Sequence, residues 1–139
     1  MFEGLGRRLR AYAEKDGRGY PDWAIRYIPV VNGLRHRPLD AELILEVGAN
    51  ENGFARFAGV RTVVVDLALD HVRAARRTQP VLPVVADAAA LPFRDGAFDV
   101  CVSMDTFEHL PEQAREAAAA EIARVLRESG TGVDRKSVV

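Results

Sequence analysis

Leu43-Ile-Leu-Glu-Val-Gly-Ala-Asn-Glu-Asn-Gly53 decides how this chain is read. Leu43–Val47 is a nearly unbroken apolar run, as expected of a strand covered on both faces. It runs straight into an acidic turn rich in asparagine and glycine. Val63-Val-Val-Asp66 has the same form, an apolar strand ending in a carboxylate. A glycine turn followed about twenty residues later by an acidic strand end is the pattern of a nucleotide-type parallel α/β sheet.

The pattern extends in both directions. Val81–Ala86 reads as a third strand ending at Asp87, with Pro83 placing it at a sheet edge. Phe98–Ser103 reads as a fourth. Helices are predicted over Asn52–Ala58, over Asp70–Arg77 and over Pro111–Arg127, the last with Ala114, Ala118, Ile122, Val125 and Leu126 inward. Strands alternating with helices imply right-handed crossovers and a Rossmann-like three-layer α/β sandwich. The expected sheet is mostly parallel, with four strands. Upstream, Phe2, Leu5, Leu9 and Tyr12 mark an amphipathic helix over 2–14, and Asp16–Pro21 a loop. A second helix begins near Pro21-Asp22, with Trp23, Ile25, Ile28 and Val31 as its apolar side and Pro29 interrupting or ending it. The expected division is a helical cover over 1–41, a cofactor-binding domain over 42–130 and an unstructured tail over 131–139.

Composition excludes several classes. The formal net charge is -1, with 48% apolar and 28% charged residues, so no basic field favours nucleic acid. The arginine clusters at 7–10, 35–37 and 76–77 read as solvated faces. One cysteine, Cys101, precludes an internal disulfide and falls in an apolar run where a buried, inert thiol is expected. No apolar run approaches the ~18 residues of a membrane span, and the N-terminus does not read as a secretory signal. A cytoplasmic protein is expected. His36, His71 and His109 are far apart in sequence, so no metal site is expected, and no serine sits in a nucleophile elbow.

The unusual residues fall at the carboxyl ends of the strands, where ligands bind in such sheets. Gly48 lets the backbone approach a ligand closely. Asn50 and Asn52 stand where further glycines would be expected, and asparagine is the non-glycine residue that best tolerates positive φ. Asp66 is placed to accept from ribose hydroxyls, or to cap the helix after it. Asp87 can accept from an adenine amino group while the Ala88 N–H reaches a ring nitrogen, or it can cap a helix over Ala88–Leu91. Glu46 can face a ligand ammonium, or order the loop by accepting backbone N–H groups. Together they predict three carboxylates converging at three strand tips.

Residues 43–130 resemble a class I S-adenosylmethionine-dependent methyltransferase of the small-molecule type. The first motif, acidic-x-Gly-x-Gly-x-Gly, stands here as Glu46-Val47-Gly48-Ala49-Asn50-Glu51-Asn52, with asparagine departing from glycine at two positions. Asp66 matches the acidic residue after the second strand. Asp87-Ala88, the segment from Leu91-Pro92-Phe93 through Asp95 to Phe98-Asp99, Glu108-His109-Leu110 and Arg124–Arg127 match the later motifs. The resemblance implies S-adenosyl-L-methionine held by Glu46, Gly48, Ala49, Asn50, Asn52, Asp66, Leu67, Asp87, Ala88 and Met104. It also implies methyl transfer to a small-molecule acceptor, with His109 as the candidate base where the acceptor must lose a proton. Met104 and Phe107 would wall the methionine end or pack the core. Tyr20, Trp23 and Tyr27 would cover the site or pack against the sheet. A non-catalytic cofactor- or partner-binding module is the alternative; a nicotinamide dehydrogenase is disfavoured by the missing glycines.

In that family the sheet continues beyond the fourth strand and its helix. Here Asp134-Arg-Lys-Ser-Val-Val139 has neither alternation nor helical period, and it coincides with the translation of a common sequencing-adapter oligonucleotide. The chain is therefore expected to be a truncated frame with an artefactual end. Phe98–Ser103 would then be an exposed edge through which copies self-associate.

Overall fold

The computed structural model describes residues 20–104 and 106–135 of the 139. The predicted helix over 2–14 and most of the loop after it lie outside the described residues. The elements are α1 (Tyr20–Gly33), β1 (Ile44–Val47), α2 (Phe54–Ala58), β2 (Thr62–Asp66), α3 (Leu69–Thr78), β3 (Val81–Val85), β4 (Phe98–Met104), α4 (Glu112–Val125) and β5 (Leu126–Arg135). A short 3-10 turn, Phe107–His109, follows β4.

The sheet is parallel throughout, in the order β3-β2-β1-β4-β5. β1 is central and buried along its whole length. Alternation along the strands separates two cores. Leu45, Val47, Val63, Val65, Cys101 and Phe98 pack with Val125 of α4 and with Leu91 of the segment between β3 and β4. Ile44, Val100, Val102 and Met104 face the other way, onto Tyr27 and Val30 of α1 and Phe54 of α2. Val64 packs on Val72 and Ala75 of α3 on that same side. The result is the expected Rossmann-like α/β/α sandwich. Pro83 does lie in an edge strand, where a missing N–H costs no ladder bond to a further neighbour. Among the described residues no helix is long and apolar enough to cross a membrane.

Three expectations are corrected. The inner face of α1 is Ala24, Tyr27, Val30 and, just past its end, Leu34, whereas Ile25 is 68% exposed. The helix is rotated so that Tyr27 reaches a buried partner beneath it. Pro29 sits inside α1 on its exposed side, where water can satisfy the carbonyl it leaves free, so the helix runs through it.

The second correction is the sheet itself, which has five strands rather than four. β5 begins directly after α4, with Leu126 beside Phe98, and resumes with Thr131–Arg135 beside Val100–Met104 after an irregularity. Gly130 lies at that irregularity: a Cβ there would fall 2.8 Å from the Arg127 carbonyl oxygen and 3.1 Å from that of Asp99. Residues 131–135 are thus strand, not tail. Arg37 donates to the Thr131 hydroxyl at 2.9 Å, and Val133 packs against the α1 core.

The third correction follows from the second. β4 is covered on both sides, by β1 and β5, so it is not the exposed edge expected to drive self-association.

Candidate cofactor-binding site

The rim at the carboxyl ends of β1, β2, β3 and β4 is tied together by side chains, and each bond has a local cause. β1 ends at Val47, and Gly48 turns the chain at φ 94°, a left-handed conformation that L side chains rarely adopt. The Gly48 amide donates to the Val65 carbonyl at 2.8 Å. The next amide, Ala49, donates to Asp66 Oδ2 at 3.0 Å. Asp66 Oδ1 accepts from the Ala68 amide at 2.8 Å, closing an Asx turn. Asp66 therefore does not cap a helix beginning at Leu67. Helix α3 starts at Leu69 with Ala68 as its cap residue and no side-chain cap bond. The Asp66 side chain keeps 18% of its surface exposed, and His71 Nδ1 stands 3.4 Å from Oδ1. Leu67, beside it, is 70% exposed.

Asp87 is exposed past the end of β3 and makes the same kind of turn, accepting from the Ala89 amide at 2.9 Å. Residues 88–90 are a turn and not a helix, so the capping reading of Asp87 fails. Ala88 is half-buried, and Ala86, one residue past β3, donates its amide to the Asp66 carbonyl at 3.1 Å. Asp66 and Val85 are register partners, so the two acidic tips are neighbours.

Glu46 does not join them. Its side chain points into the α1 face and is almost wholly buried. Oε1 accepts from the Tyr27 hydroxyl at 2.5 Å and Oε2 from the Phe54 amide at 2.9 Å. Burial pushes this carboxyl up from 4.5 to about 7, while those two hydrogen bonds pull against the rise. This is the loop-ordering role. The expected convergence of three carboxylates is corrected to two at the rim and one beneath it.

The asparagines act within the turn. Asn50 Oδ1 accepts from the Asn52 amide at 2.7 Å, and the Asn50 carbonyl accepts from Gln79 Nε2 at 2.8 Å. Asn52 Oδ1 accepts from Arg56 at 2.7 Å. Asn50, Asn52, Glu51, His71 and Ala74 line a shallow hollow of about 300 Å³. Met104 belongs to the α1 core, 7% exposed, so its side chain packs rather than reaching the rim. His109 is 77% exposed on the turn after β4, with Nε2 3.5 Å from Glu108 Oε1. Cys101 is buried and its thiol is pushed up to about 12, chiefly by burial and then by Glu46, as an inert thiol should be. Among the described residues no cluster of His, Cys, Asp and Glu could hold a metal.

The later motif is a clamp. Arg124 donates to both oxygens of Glu121 at 2.7 and 2.8 Å, to the carbonyls of Phe93 and Leu91, and to Asp95. Glu121 also accepts from the Leu91 amide at 2.7 Å. Arg127 pairs with Asp99 at 2.8 Å, and Asp99 accepts from the Leu43 amide at 2.9 Å. The two arginines thus fasten both ends of the 91–99 segment behind the Asp87 tip. Sequence reasoning missed Tyr27 as the partner of Glu46, Gln79 as a prop for the turn, and Thr106, whose hydroxyl donates to the Val47 carbonyl at 3.0 Å. No local signal pointed to any of the three: the phase of α1 was misread, and Gln79 and Thr106 lie far along the chain from what they touch.

Residues 45–133 match the family described as methyltransferase domain. The malonyl-[acyl-carrier protein] O-methyltransferase of Geobacter sulfurreducens is 43% identical over 96 residues, 63% of this chain and 35% of that protein. The tRNA (carboxymethyluridine(34)-5-O)-methyltransferase alkbh8 of Xenopus tropicalis is 47% identical over 47 residues, 33% of this chain and 8% of that one. The chain thus spans about a third or less of these relatives. The crystal structure of the PH0226 protein from Pyrococcus horikoshii superimposes with a TM-score of 0.73 at 23% identity, covering 89% of this chain and 64% of that one. With more than half of its length inside the family match, and the strand order and rim just described, this chain belongs to the methyltransferase domain family.

Proposed function

We propose that this domain binds S-adenosyl-L-methionine at the rim formed by β1, β2 and β3, and serves methyl transfer to a small-molecule acceptor. The observation that carries the reading is the Asp66 carboxylate. It is bound to the Ala49 amide across the first turn, yet it remains open to solvent at a strand tip. Each carboxylate oxygen has two acceptor sites; backbone amides fill one on each, and His71 Nδ1 stands 3.4 Å from Oδ1, which leaves Oδ2 the freer of the two. The remainder suit the two hydroxyls of a ribose.

The residues present fit an adenosyl cofactor. Asp87 offers a second acceptor one strand away, with the Ala88 backbone beside it. Leu67 and Val85, 70% and 49% exposed, offer apolar surface next to the two acidic tips. Gly48, Ala49, Asn50 and Asn52 shape the turn that faces the ligand. Glu46 holds that turn from below through Phe54, and Met104 supports it from the core. When bound, the cofactor supplies a methyl group already activated by its sulfonium. The protein's part is then orientation, which can account for ~7–11 kcal/mol of a barrier. His109 is exposed on the turn after β4 and is the available general base where the acceptor must lose a proton. The two curated relatives are named for unlike acceptors. The shared region therefore reads as the donor half, with acceptor choice resting on other elements.

Calorimetry on the 139-residue chain tests the proposal. S-adenosylmethionine and S-adenosylhomocysteine should bind, NAD should not, and Asp66→Ala should weaken binding about tenfold or more, through loss of charge-assisted acceptors. No binding of either adenosyl ligand, or equal binding of NAD, would overturn it.

A further inference from the structure

We infer that Thr106 is a positioning residue for the cofactor turn, latching the segment after β4 onto the end of β1 and setting the path of the chain through Gly48. The inference rests on the reading of this rim as the S-adenosylmethionine site. Thr106 Oγ1 donates to the Val47 carbonyl at 3.0 Å and lies 3.3 Å from the Met104 carbonyl. A hydroxyl has one proton. The closer acceptor is the tertiary one, 59 residues away in sequence.

The same side chain occupies the space beside Gly48. A Cβ built on Gly48 would collide with Thr106 Oγ1 and would stand 3.4 Å from Thr106 Cβ and 3.6 Å from Cγ2. Gly48 is therefore required for two separate reasons, its φ of 94° and the threonine packed against it. The face of the glycine that lacks a side chain is turned toward Thr106.

The two amides that follow are committed to β2: Gly48 to Val65, and Ala49 to Asp66. Thr106 thus ties the tip of β1 to the β4 side, while the two amides tie it to β2 on the other. If the hydroxyl is removed, the Val47 carbonyl loses its bond to the β4 side. The turn can then shift against Asp66, the group proposed to hold the ribose. Thr106 also lies three residues before His109, so the latch links the donor side of the rim to the segment carrying the candidate base.

The test measures adenosyl affinity beside thermal stability on the full chain. S-adenosylhomocysteine and S-adenosylmethionine are titrated at a temperature where each variant is folded. Thr106→Val keeps the branched shape and removes the hydroxyl, and it should bind about tenfold more weakly, as expected for an interaction that loses its donor. Thr106→Ser keeps the hydroxyl and should stay within about twofold of wild type. Wild-type affinity in Thr106→Val, or a loss in Thr106→Ser equal to that in Thr106→Val, would overturn the inference. A wild-type chain that binds neither ligand would instead overturn the proposed function. In that case, or if Thr106→Val does not fold, thermal melts of Gly48→Ala, Thr106→Ala and the double variant decide the geometry. The double variant should melt no lower than Gly48→Ala alone because the collision is relieved; strictly additive losses would overturn the latch.

Discussion

Tyr27 donates its hydroxyl proton to Glu46 over 2.5 Å, joining α1 to the central strand beneath the Gly48 turn. The ring also stacks on Phe57 of α2, 5.2 Å between centroids, so helix, strand and turn meet at one aromatic side chain. Tyr27→Phe keeps the stack and removes the donor. It should destabilise the fold by about 1–3 kcal/mol, the cost of leaving a buried acceptor short of a partner. Urea unfolding at neutral pH reads this loss; an unchanged midpoint would show that the bond contributes nothing net.

The same carboxyl sets a pH dependence. Glu46 is raised from 4.5 to about 7 in the folded protein, so between those values the native state holds a proton that the unfolded state has released. Stability from this group is therefore highest below about pH 4.5, falls as pH rises toward 7, and is flat above. At 1.36 kcal/mol per unit the fall is on the order of 3 kcal/mol. Glu46→Gln should flatten that limb of the stability curve, whatever its own cost at low pH.

Glu121 acts in the opposite direction. Its hydrogen bond from Arg124, above all, holds its carboxyl down at about 2. Its contribution is present above the ordinary carboxylate range and is lost as pH falls toward 2. Arg124→Ala should remove it and release the 91–96 segment. Amide exchange at Leu91 and Gly96, which donate to Glu121 and to the Arg124 carbonyl, should speed up first. Arg124→Lys should recover only part of the protection, because an ammonium cannot reproduce the planar fork.

Two glycines should respond in opposite directions. A Cβ at Gly53 would stand 2.7 Å from Glu46 Oε2 and 2.8 Å from Gln79 Oε1, although its φ of -146° is open to any residue. Gly53→Ala should therefore cost about 1–3 kcal/mol by overpacking alone. Gly33 ends α1 with nothing within 4 Å of its would-be Cβ, and Gly33→Ala should gain about 0.4–1 kcal/mol. Melting temperatures of the two variants moving in the same direction would contradict this account.

Four of the five strands and the rim motifs were legible because each of those four strands is short, mostly apolar and ended by a polar turn. Leu43–Val47, the strand ending Val63-Val-Val-Asp66 and Phe98–Ser103 were placed almost to the residue. β5 was not, because at an edge one apolar residue, Val133, suffices to anchor Thr131–Arg135, and the rest of its stability comes from pairing with β4. The phase of α1 was misread for a related reason. Ile25 and Ala24 differ in hydropathy in the wrong direction, and the rotation is fixed by a hydrogen bond to a strand 19 residues later.

What the sequence alone determined was local: the apolar runs that must be covered on both faces, and the positions where carboxylates fall at strand ends. Periodicity and turn chemistry are properties of neighbours along the chain, so they survive in one dimension. The division of labour among the carboxylates was decided only in three dimensions. Glu46 and Asp66 look equivalent as strand-end acids, yet strand alternation and the α1 helix bury one against Tyr27 and leave the other at the rim. Burial and partner geometry depend on residues distant in sequence, and those alone separate a carboxylate that holds a turn from one that can hold a ligand.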